Sequence, residues 1–240
     1  MKRGYKNILV ATVIGISVFC VSCSIIIPIK GSGNLKTSEI TYETYEKINS
    51  GGSAEIRFHA GEEYRAVVTI DENLVEYVEI FTKNNVLNIS TKNGYNISPT
   101  KFTVDVYCPF LTGITMSGSG SFRNVDTIIV STFETKLTGS GKIEATIECD
   151  NYSAGITGSG RITVSGNINE TKVSITGSGD FNGKELKTKN AAITVTGSGN
   201  ANIYVSDNLQ ANITGSGNIN YSGEPKVNSN VTGSGRMRKM

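Results

Sequence analysis

Apolar and polar residues alternate on both sides of a Gly-Ser-Gly motif, which occurs at residues 118–120, 139–141, 158–160, 177–179, 197–199, 215–217 and 233–235. The position two residues before each motif is apolar, and so is the position two residues after it. The first column contains Met116, Leu137, Ile156, Ile175, Val195, Ile213 and Val231, and the second contains Phe122, Ile143, Ile162, Phe181, Ala201, Ile219 and Met237. A period of two puts alternate side chains on opposite faces of a strand, so the pattern predicts a half-buried strand on each side of a turn.

Successive motifs are separated by 18 to 21 residues. A repeat of this length is typical of a solenoid, in which each unit buries its apolar face only by stacking on its neighbours. The sequence therefore predicts an all-β fold, a parallel β-helix or β-solenoid with coils of about 19 residues marked by Gly-Ser-Gly turns, over residues 118–240. Residues 41–117 alternate without the motif. We expect irregular N-terminal β coils there, with a β-sandwich packed on the solenoid as the alternative.

Two glycines in each motif predict a sharp turn with positive φ, which costs glycine nothing and costs other residues about 1 kcal/mol or more. Gly-Ser-Gly can also be a flexible linker, but a linker would not keep apolar columns in register. A phosphate-binding loop would need Gly-x-Gly-x-x-Gly or Gly-Lys-Ser/Thr, and the repeats complete neither pattern. The motif is therefore interpreted as a structural turn.

The first 22 residues have the pattern of a signal peptide. Lys2, Arg3 and Lys6 precede an apolar run over residues 8–19, and the small residue Ser22 stands directly before Cys23. This resembles a lipoprotein signal, which is cut before a cysteine that carries acyl chains. We expect a signal peptide at 1–22, lipid attachment at Cys23 and a lipid-anchored linker at 23–40. A transmembrane anchor is the alternative, because apolar residues continue to position 29.

The residues after the predicted cleavage site bear on location and partners. By analogy with other lipoproteins, Ser24 after the cysteine favours an outer-membrane lipoprotein of the cell envelope, facing the periplasm rather than the cell surface. Removal of the signal leaves 20 basic residues against 21 acidic ones. Nucleic-acid binders need clustered Lys and Arg, and no such run remains, so no nucleic-acid partner is expected. The expected partners are the membrane, through the lipid anchor, and a glycan or protein ligand.

Cys108 and Cys149 are the two cysteines left in the predicted body. They lie ten and nine residues before Gly118 and Gly158, and therefore at nearly the same place two coils apart. With strands stacked about 4.8 Å apart, their Cα atoms would be about 10 Å apart, beyond the limit of about 7 Å for a disulfide. We predict that they are not bridged, although export to an oxidising compartment normally favours disulfides.

Several short segments occur in a characteristic order up to the first motif, at residues 46–52, 72–80, 86–89, 109–111 and 117–120. They read Glu-Lys-Ile-Asn-Ser-Gly-Gly, Glu-Asn-Leu-Val-Glu-Tyr-Val-Glu-Ile, Val-Leu-Asn-Ile, Pro-Phe-Leu and Ser-Gly-Ser-Gly. In this order, and together with the Gly-Ser-Gly repeat, residues 42–222 resemble the putative autotransporter adhesin head GIN domain family. The resemblance implies an exported β-helical domain of Bacteroidota-type lipoproteins with an adhesin-like role. It implies no catalytic residues.

Candidate catalytic residues are sparse. His59 is the only histidine and has no Cys or Asp cluster at ligand spacing, so neither a zinc site nor a Ser-His-Asp triad is predicted. A polysaccharide lyase or hydrolase on a β-helix would need acidic groups at matching positions of neighbouring coils. The nearest match, Asp150 with Glu170, is one residue out of register. We expect a non-enzymatic adhesin-like or structural binding module that presents polar β faces, without cofactor or metal. A polysaccharide-acting enzyme is the alternative.

Overall fold

The computed structural model describes residues 27–240. The predicted signal peptide and the predicted lipid-attachment residue Cys23 lie outside these residues. The described chain consists almost entirely of strands and turns, which confirms the predicted all-β class. Its one helix is the 3-10 helix Glu72–Tyr77. Among residues 27–240, no helix has both the length and the apolar character that a membrane crossing requires.

Short strands make up the N-terminal half of the described chain. They are β1 (Ile29–Lys30), β2 (Leu35–Thr41), β3 (Lys47–Gly52), β4 (Glu55–Ala60), β5 (Arg65–Asp71), β6 (Val78–Lys83), β7 (Val86–Thr91), β8 (Ile97–Ser98), β9 (Phe102–Cys108), β10 (Gly113–Gly118), β11 (Ser121–Asn124) and β12 (Ile128–Ile129). Longer strands follow, and they are β13 (Thr132–Gly139), β14 (Lys142–Gly158), β15 (Arg161–Gly177), β16 (Asp180–Gly197), β17 (Asn200–Gly215), β18 (Asn218–Ser222), β19 (Lys226–Gly233) and β20 (Arg236–Lys239).

The strands stack in register as two opposite sheets of a parallel β-solenoid, which confirms the predicted fold. The first sheet leads into the motif and has the order β6, β7, β3, β10, β13, the C-terminal halves of β14 to β17, and β19. The second sheet follows the motif and has the order β2, β5, β9, β4, β11, the N-terminal halves of β14 to β17, β18 and β20. Each of β14 to β17 bends through the corner opposite the motif and so belongs to both sheets.

The two glycines of each motif have different roles. In the seven copies from 118–120 to 233–235 the first glycine has φ between +111° and +118°, a region that other residues rarely adopt. The last glycine does not have positive φ, so the prediction that both glycines need it was wrong for this position. Its constraint is space: a Cβ on Gly179 would lie 2.5 Å from Ile156 Cγ2 and 2.8 Å from the Gly160 carbonyl oxygen. Because the turns stack directly on one another, neither position has room for a side chain.

The two apolar columns form the core. In the inner coils both columns are buried, with Ile156, Ile175 and Val195 at most 1% exposed. The last coil differs, because no further coil covers it: Val231 is 41% exposed and Met237 is only partly buried. Burial therefore depends on stacking between coils, as in other solenoids.

The N-terminal part contains one coil built like the repeats. In this coil β3 and β4 flank Gly51 and Gly52, and Gly52 lies beside Gly118 in the register. The coil lies between the first Gly-Ser-Gly coil and the pair β7 and β9, which come later in the chain. The antiparallel strands β2, β5 and β6 lie beyond β7 and β9 and close this end of the solenoid. The 3-10 helix completes the closure, and its Leu74 is fully buried.

Cys108 and Cys149 are both free, as predicted. Their separation is larger than the sequence indicated, because the β3–β4 coil is inserted between the coils that carry them. The order β9, β4, β11, β14 puts Cys149 three strands from Cys108, roughly 14 Å at 4.8 Å per strand. A disulfide would need a large movement of the backbone.

Candidate functional site

A shallow groove runs along the solenoid at the corner opposite the Gly-Ser-Gly turns. It consists of two adjoining depressions of about 750 and 570 Å³. Five successive coils contribute to it, and at about 4.8 Å per strand they span roughly 20 Å. We call it the corner groove, and it is lined by side chains from segments 129–132, 149–153, 167–172, 187–192 and 204–210.

Hydrogen-bonded side chains run from coil to coil along the groove. The Asn169 amide donates to the Asp150 carboxylate at 2.7 Å. In the neighbouring column, the Asn190 amide donates to the Glu170 carboxylate at 2.7 Å, and the Asn208 amide donates to the Asn190 oxygen at 2.7 Å. Because these bonds join adjacent coils, they hold the polar groups in fixed positions before any ligand arrives, which lowers the entropy cost of binding.

The groove also carries apolar and positively charged side chains. Ile129 is 71% exposed at one end of the groove, and Tyr204 is 37% exposed at the other. Lys187 and Lys189 extend from the coil next to that of Tyr204 and are exposed. The groove therefore combines rows of donors and acceptors with apolar surface, which includes Val130 beside Ile129 and the alanines Ala191 and Ala192.

Polar pairs inside the solenoid support the corner from behind. The Thr135 and Tyr152 hydroxyls are 2.7 Å apart, and the Thr171 and Thr188 hydroxyls are 2.9 Å apart. All four side chains are buried. Burial raises the pKa of Tyr152 far above its usual range, so this phenol stays neutral and serves as a hydrogen-bonding group. Buried polar groups that are satisfied in this way favour one arrangement of the corner over others.

The Cys149 thiol, which belongs to the groove lining, is held in its neutral form. Burial raises the pKa of Cys149 to about 11, and its Sγ donates to the Asn151 carbonyl oxygen at 3.3 Å. Because the thiolate is the reactive form, this shift disfavours Cys149 as a nucleophile at neutral pH.

The carboxylates of Asp150 and Glu170 are hydrogen-bonded to amides of the groove. Asn151, not Asp150, lies in register with Glu170, so the predicted offset of one residue is confirmed. Each of the two carboxylates accepts from an asparagine of the next coil instead. The alternative of a polysaccharide-acting enzyme therefore has no support in the geometry of the corner.

His59 lies outside the groove, on β4. Its Nε2 is 3.0 Å from Asp105 Oδ1 on the neighbouring strand β9, and its ring stacks on Tyr107 at a centroid distance of 4.6 Å. Arg65 covers the same Tyr107 ring, with its guanidinium carbon 3.7 Å from the centroid. The contacts of His59 are therefore those of surface packing. Within residues 27–240, His, Cys, Asp and Glu side chains form no group of three that could hold a metal ion.

Sequence reasoning missed the groove, although a signal for it exists. Counted back from the first glycine of the motif, position eight holds Asp150, Asn169, Lys189 and Asp207, and position seven holds Asn151, Glu170, Asn190 and Asn208. Acidic residues alone scatter along the repeat. Acids and amides counted together form two columns, and these are the columns that bond from coil to coil.

A family model described as "Putative auto-transporter adhesin, head GIN domain" matches residues 44–225. The chain belongs to this family. The resemblance inferred from the sequence is thereby confirmed, and membership of an adhesin family implies an extracellular or cell-envelope location for this head GIN domain. The chain matches no curated protein.

Solved structures share the fold of this head GIN domain. A putative adhesin from Bacteroides fragilis has a TM-score of 0.84 at 19% identity, covering 88% of this chain and 100% of that chain. A putative lipid binding protein from Parabacteroides distasonis has a TM-score of 0.75 at 28% identity, covering 89% and 100%. A putative adhesin from Parabacteroides merdae has a TM-score of 0.72 at 27% identity, covering 88% and 98%. The likeness to the Bacteroides protein concerns the fold alone.

Proposed function

We propose that this head GIN domain protein is a non-enzymatic lipoprotein of the cell envelope that binds a glycan in the corner groove. The observation that carries the proposal is the pair of polar columns, which repeat once per coil along the groove. An extended glycan offers hydroxyl groups at regular intervals along its length. Neighbouring coils offer donors and acceptors that also repeat, at about 4.8 Å. Membership of an adhesin family supports a binding role.

A glycan fits the groove better than a protein or a lipid does. Protein interfaces depend on a central cluster of aromatic and apolar anchors, whereas Ile129 and Tyr204 lie at opposite ends of this groove. One similar structure is described as a putative lipid binding protein. In this chain, however, side chains such as Phe133 and Ile147 fill the interior of the solenoid. An acyl chain would therefore have to lie on the outside.

A glycan array with the detergent-solubilised mature protein tests the groove. Asn169→Ala and Asn190→Ala each remove a groove amide, and we expect each to weaken glycan binding about fivefold or more, since a hydrogen bond contributes about 1 kcal/mol. Ser174→Ala is the matched control, because Ser174 is exposed on the first sheet outside the groove. Groove variants that bind as tightly as the control would overturn the proposal. Release of reducing sugars from a bound glycan would favour the enzyme alternative.

The lipid anchor at Cys23 is the second part of the proposal. We expect the wild-type protein in the outer-membrane fraction, and Cys23→Ala either released from it or retained as the uncleaved precursor, as measured by fractionation and intact mass. Cys20→Ala is the control and should not change the localisation. A Cys23→Ala protein that is cleaved normally and stays in the membrane would instead favour a transmembrane anchor. Protection from protease in intact cells is expected for a periplasm-facing protein.

A further inference from the structure

The chain joins the folded body within a few residues of Cys23. The Ile29 N–H donates to the Asn96 carbonyl oxygen at 2.8 Å, and the Gly31 N–H donates to the Ser98 carbonyl oxygen at 3.0 Å. These bonds pair β1 with β8 in parallel, with Ile29 opposite Ile97. The segment expected to be a linker is therefore part of the fold from residue 29 onward.

Buried polar groups fix the same segment to the end of the solenoid. The Asp71 carboxylate is fully buried and accepts from the Gly33 N–H at 2.7 Å and from the Thr100 N–H at 2.8 Å. A Cβ on Gly31 would overlap this carboxylate. The Asn73 side chain accepts from the Ser32 N–H and donates to the Lys30 carbonyl oxygen, both at 2.9 Å. The segment cannot leave the body without exposing these groups.

The tether that remains is short. Six residue steps separate Cys23 from Ile29, and even fully extended they reach only about 20 Å. The solenoid continues for roughly 40 Å beyond this end, since the first sheet has ten strands at about 4.8 Å. Acyl chains on Cys23 would therefore hold this end of the body close to the bilayer.

This end of the body exposes an isoleucine, a tyrosine and two lysines, with the exposed acids Glu72 and Glu76 in the neighbouring 3-10 helix. Ile27 is 80% exposed and Tyr95 is 51% exposed, and each lies two residues before the paired residues Ile29 and Ile97 of β1 and β8. Tyrosine is enriched where protein meets lipid headgroups. Lys30 and Lys92, both exposed, belong to the same two segments, and a lysine near an anionic leaflet contributes about 1 kcal/mol. We call these four residues the anchor face.

We propose that the anchor face lies against the lipid surface into which the acyl chains of Cys23 insert. The inference rests on the proposed lipid attachment. The anchor face gives the lipid-attached protein a defined orientation. The rest of the solenoid, including the corner groove, then extends from the membrane into the compartment that the protein faces.

The chain contains no tryptophan, so a single introduced tryptophan reports its own surroundings. Tyr95→Trp tests the anchor face, and Val227→Trp is the control, since Val227 is 42% exposed on β19 at the opposite end. Each full-length, lipidated protein is reconstituted into vesicles of phosphatidylethanolamine and phosphatidylglycerol that carry brominated acyl chains. We expect the Tyr95→Trp protein to lose most of its emission relative to unbrominated vesicles, and the Val227→Trp protein to lose none.

The possible outcomes separate the inference from the proposal on which it rests. Protein that does not float with the vesicles contradicts lipid attachment at Cys23. Protein that floats, but shows equal quenching or no quenching at the two positions, leaves the anchor intact and overturns the anchor face. A third outcome is that the emission of the Tyr95→Trp protein shifts to the blue as the protein-to-lipid ratio rises, without quenching by bromine. This would mean that a second copy covers this surface, and it also overturns the inference.

Discussion

Neighbouring residues on the first sheet should respond in opposite ways to the same charge. Ile175 is fully buried and lies in register between Ile156 and Val195. Its Cγ2 atom also packs beneath Gly199, where an added Cβ would approach it to 2.6 Å. Ser174 is the preceding residue and is exposed to solvent. We predict that Ile175→Asp disrupts the middle coils and that Ser174→Asp does not.

The expected difference follows from burial. Removing a fully buried isoleucine side chain forfeits about 2–3 kcal/mol of apolar transfer free energy. Placing an unpaired carboxyl group in the same site costs at least about 2–3 kcal/mol more, even if it becomes protonated. The total of about 5 kcal/mol approaches the whole stability of many domains. Ser174→Asp leaves its side chain in water and should change the free energy of unfolding by no more than about 0.5 kcal/mol.

Thermal unfolding followed by circular dichroism measures the contrast. For a body of this size about 1 kcal/mol corresponds to a shift of 2–4 °C, so Ser174→Asp should stay within about 2 °C of wild type. Ile175→Asp should lower the midpoint by more than 10 °C or abolish the transition, on the same scale. Limited proteolysis should then cut Ile175→Asp within the middle coils. Equal midpoints for the two variants would refute the stacked columns.

Three further predictions concern the glycine turns, the cysteine thiols and the loss of stability at acid pH. Gly177→Ala should destabilise the body by about 1–3 kcal/mol, because alanine is strained at the φ of +111° found there, while Ser178→Ala should be neutral; chemical denaturation of both variants measures the difference. Intact mass under non-reducing conditions should show Cys108 and Cys149 as free thiols, and a loss of two hydrogens would contradict this. Burial acts to raise the pKa of Asp71, but its hydrogen bonds outweigh this and lower it, so its contribution to stability is present above the unfolded pKa of about 3.9 and lost as pH falls through the lower folded value. The thermal unfolding midpoint of the wild-type protein should therefore decrease when the pH is lowered below about 4. The midpoint of Asp71→Asn should depend less on pH in this range, and the same decrease in both proteins would contradict the role of this carboxylate.

The sequence predicted most where each coil repeats the coil before it. The columns through Ile156 and Phe122 could be found because the motif marks their position and alternation marks their face. The contact between His59 and Asp105 could not be found in this way. It joins residues 46 positions apart, because the β3–β4 coil stacks between coils that come later in the chain. Nothing in the local pattern indicates this change of order.

The glycines show a second limit of pattern reasoning. Identical residues at the first and third positions of the motif suggested one shared cause, positive φ. The structure separates two causes, since Gly177 has φ of +111° and Gly179 lacks room beside Ile156. The second cause depends on how closely successive turns stack, and that distance is a property of the assembled solenoid rather than of one turn.

The same stacking explains why the groove lies opposite the motif. In the eight residues that end at the first glycine of each Gly-Ser-Gly motif, the strands from β14 to β19 pair without any shift in register. The coils nevertheless differ in length, since successive motifs are 18 to 21 residues apart. The extra and missing residues are absorbed between the motif and the far corner, where the register shifts between Thr163 and Gly166 and between Gly183 and Lys187. Glycine packing makes the motif corner nearly invariant, so changes in length and side-chain chemistry accumulate between the motif and the far corner and at the far corner itself, where the register also shifts between Thr188 and Asn190. A ligand site can therefore form at the far corner without disturbing the turns that hold the coils together.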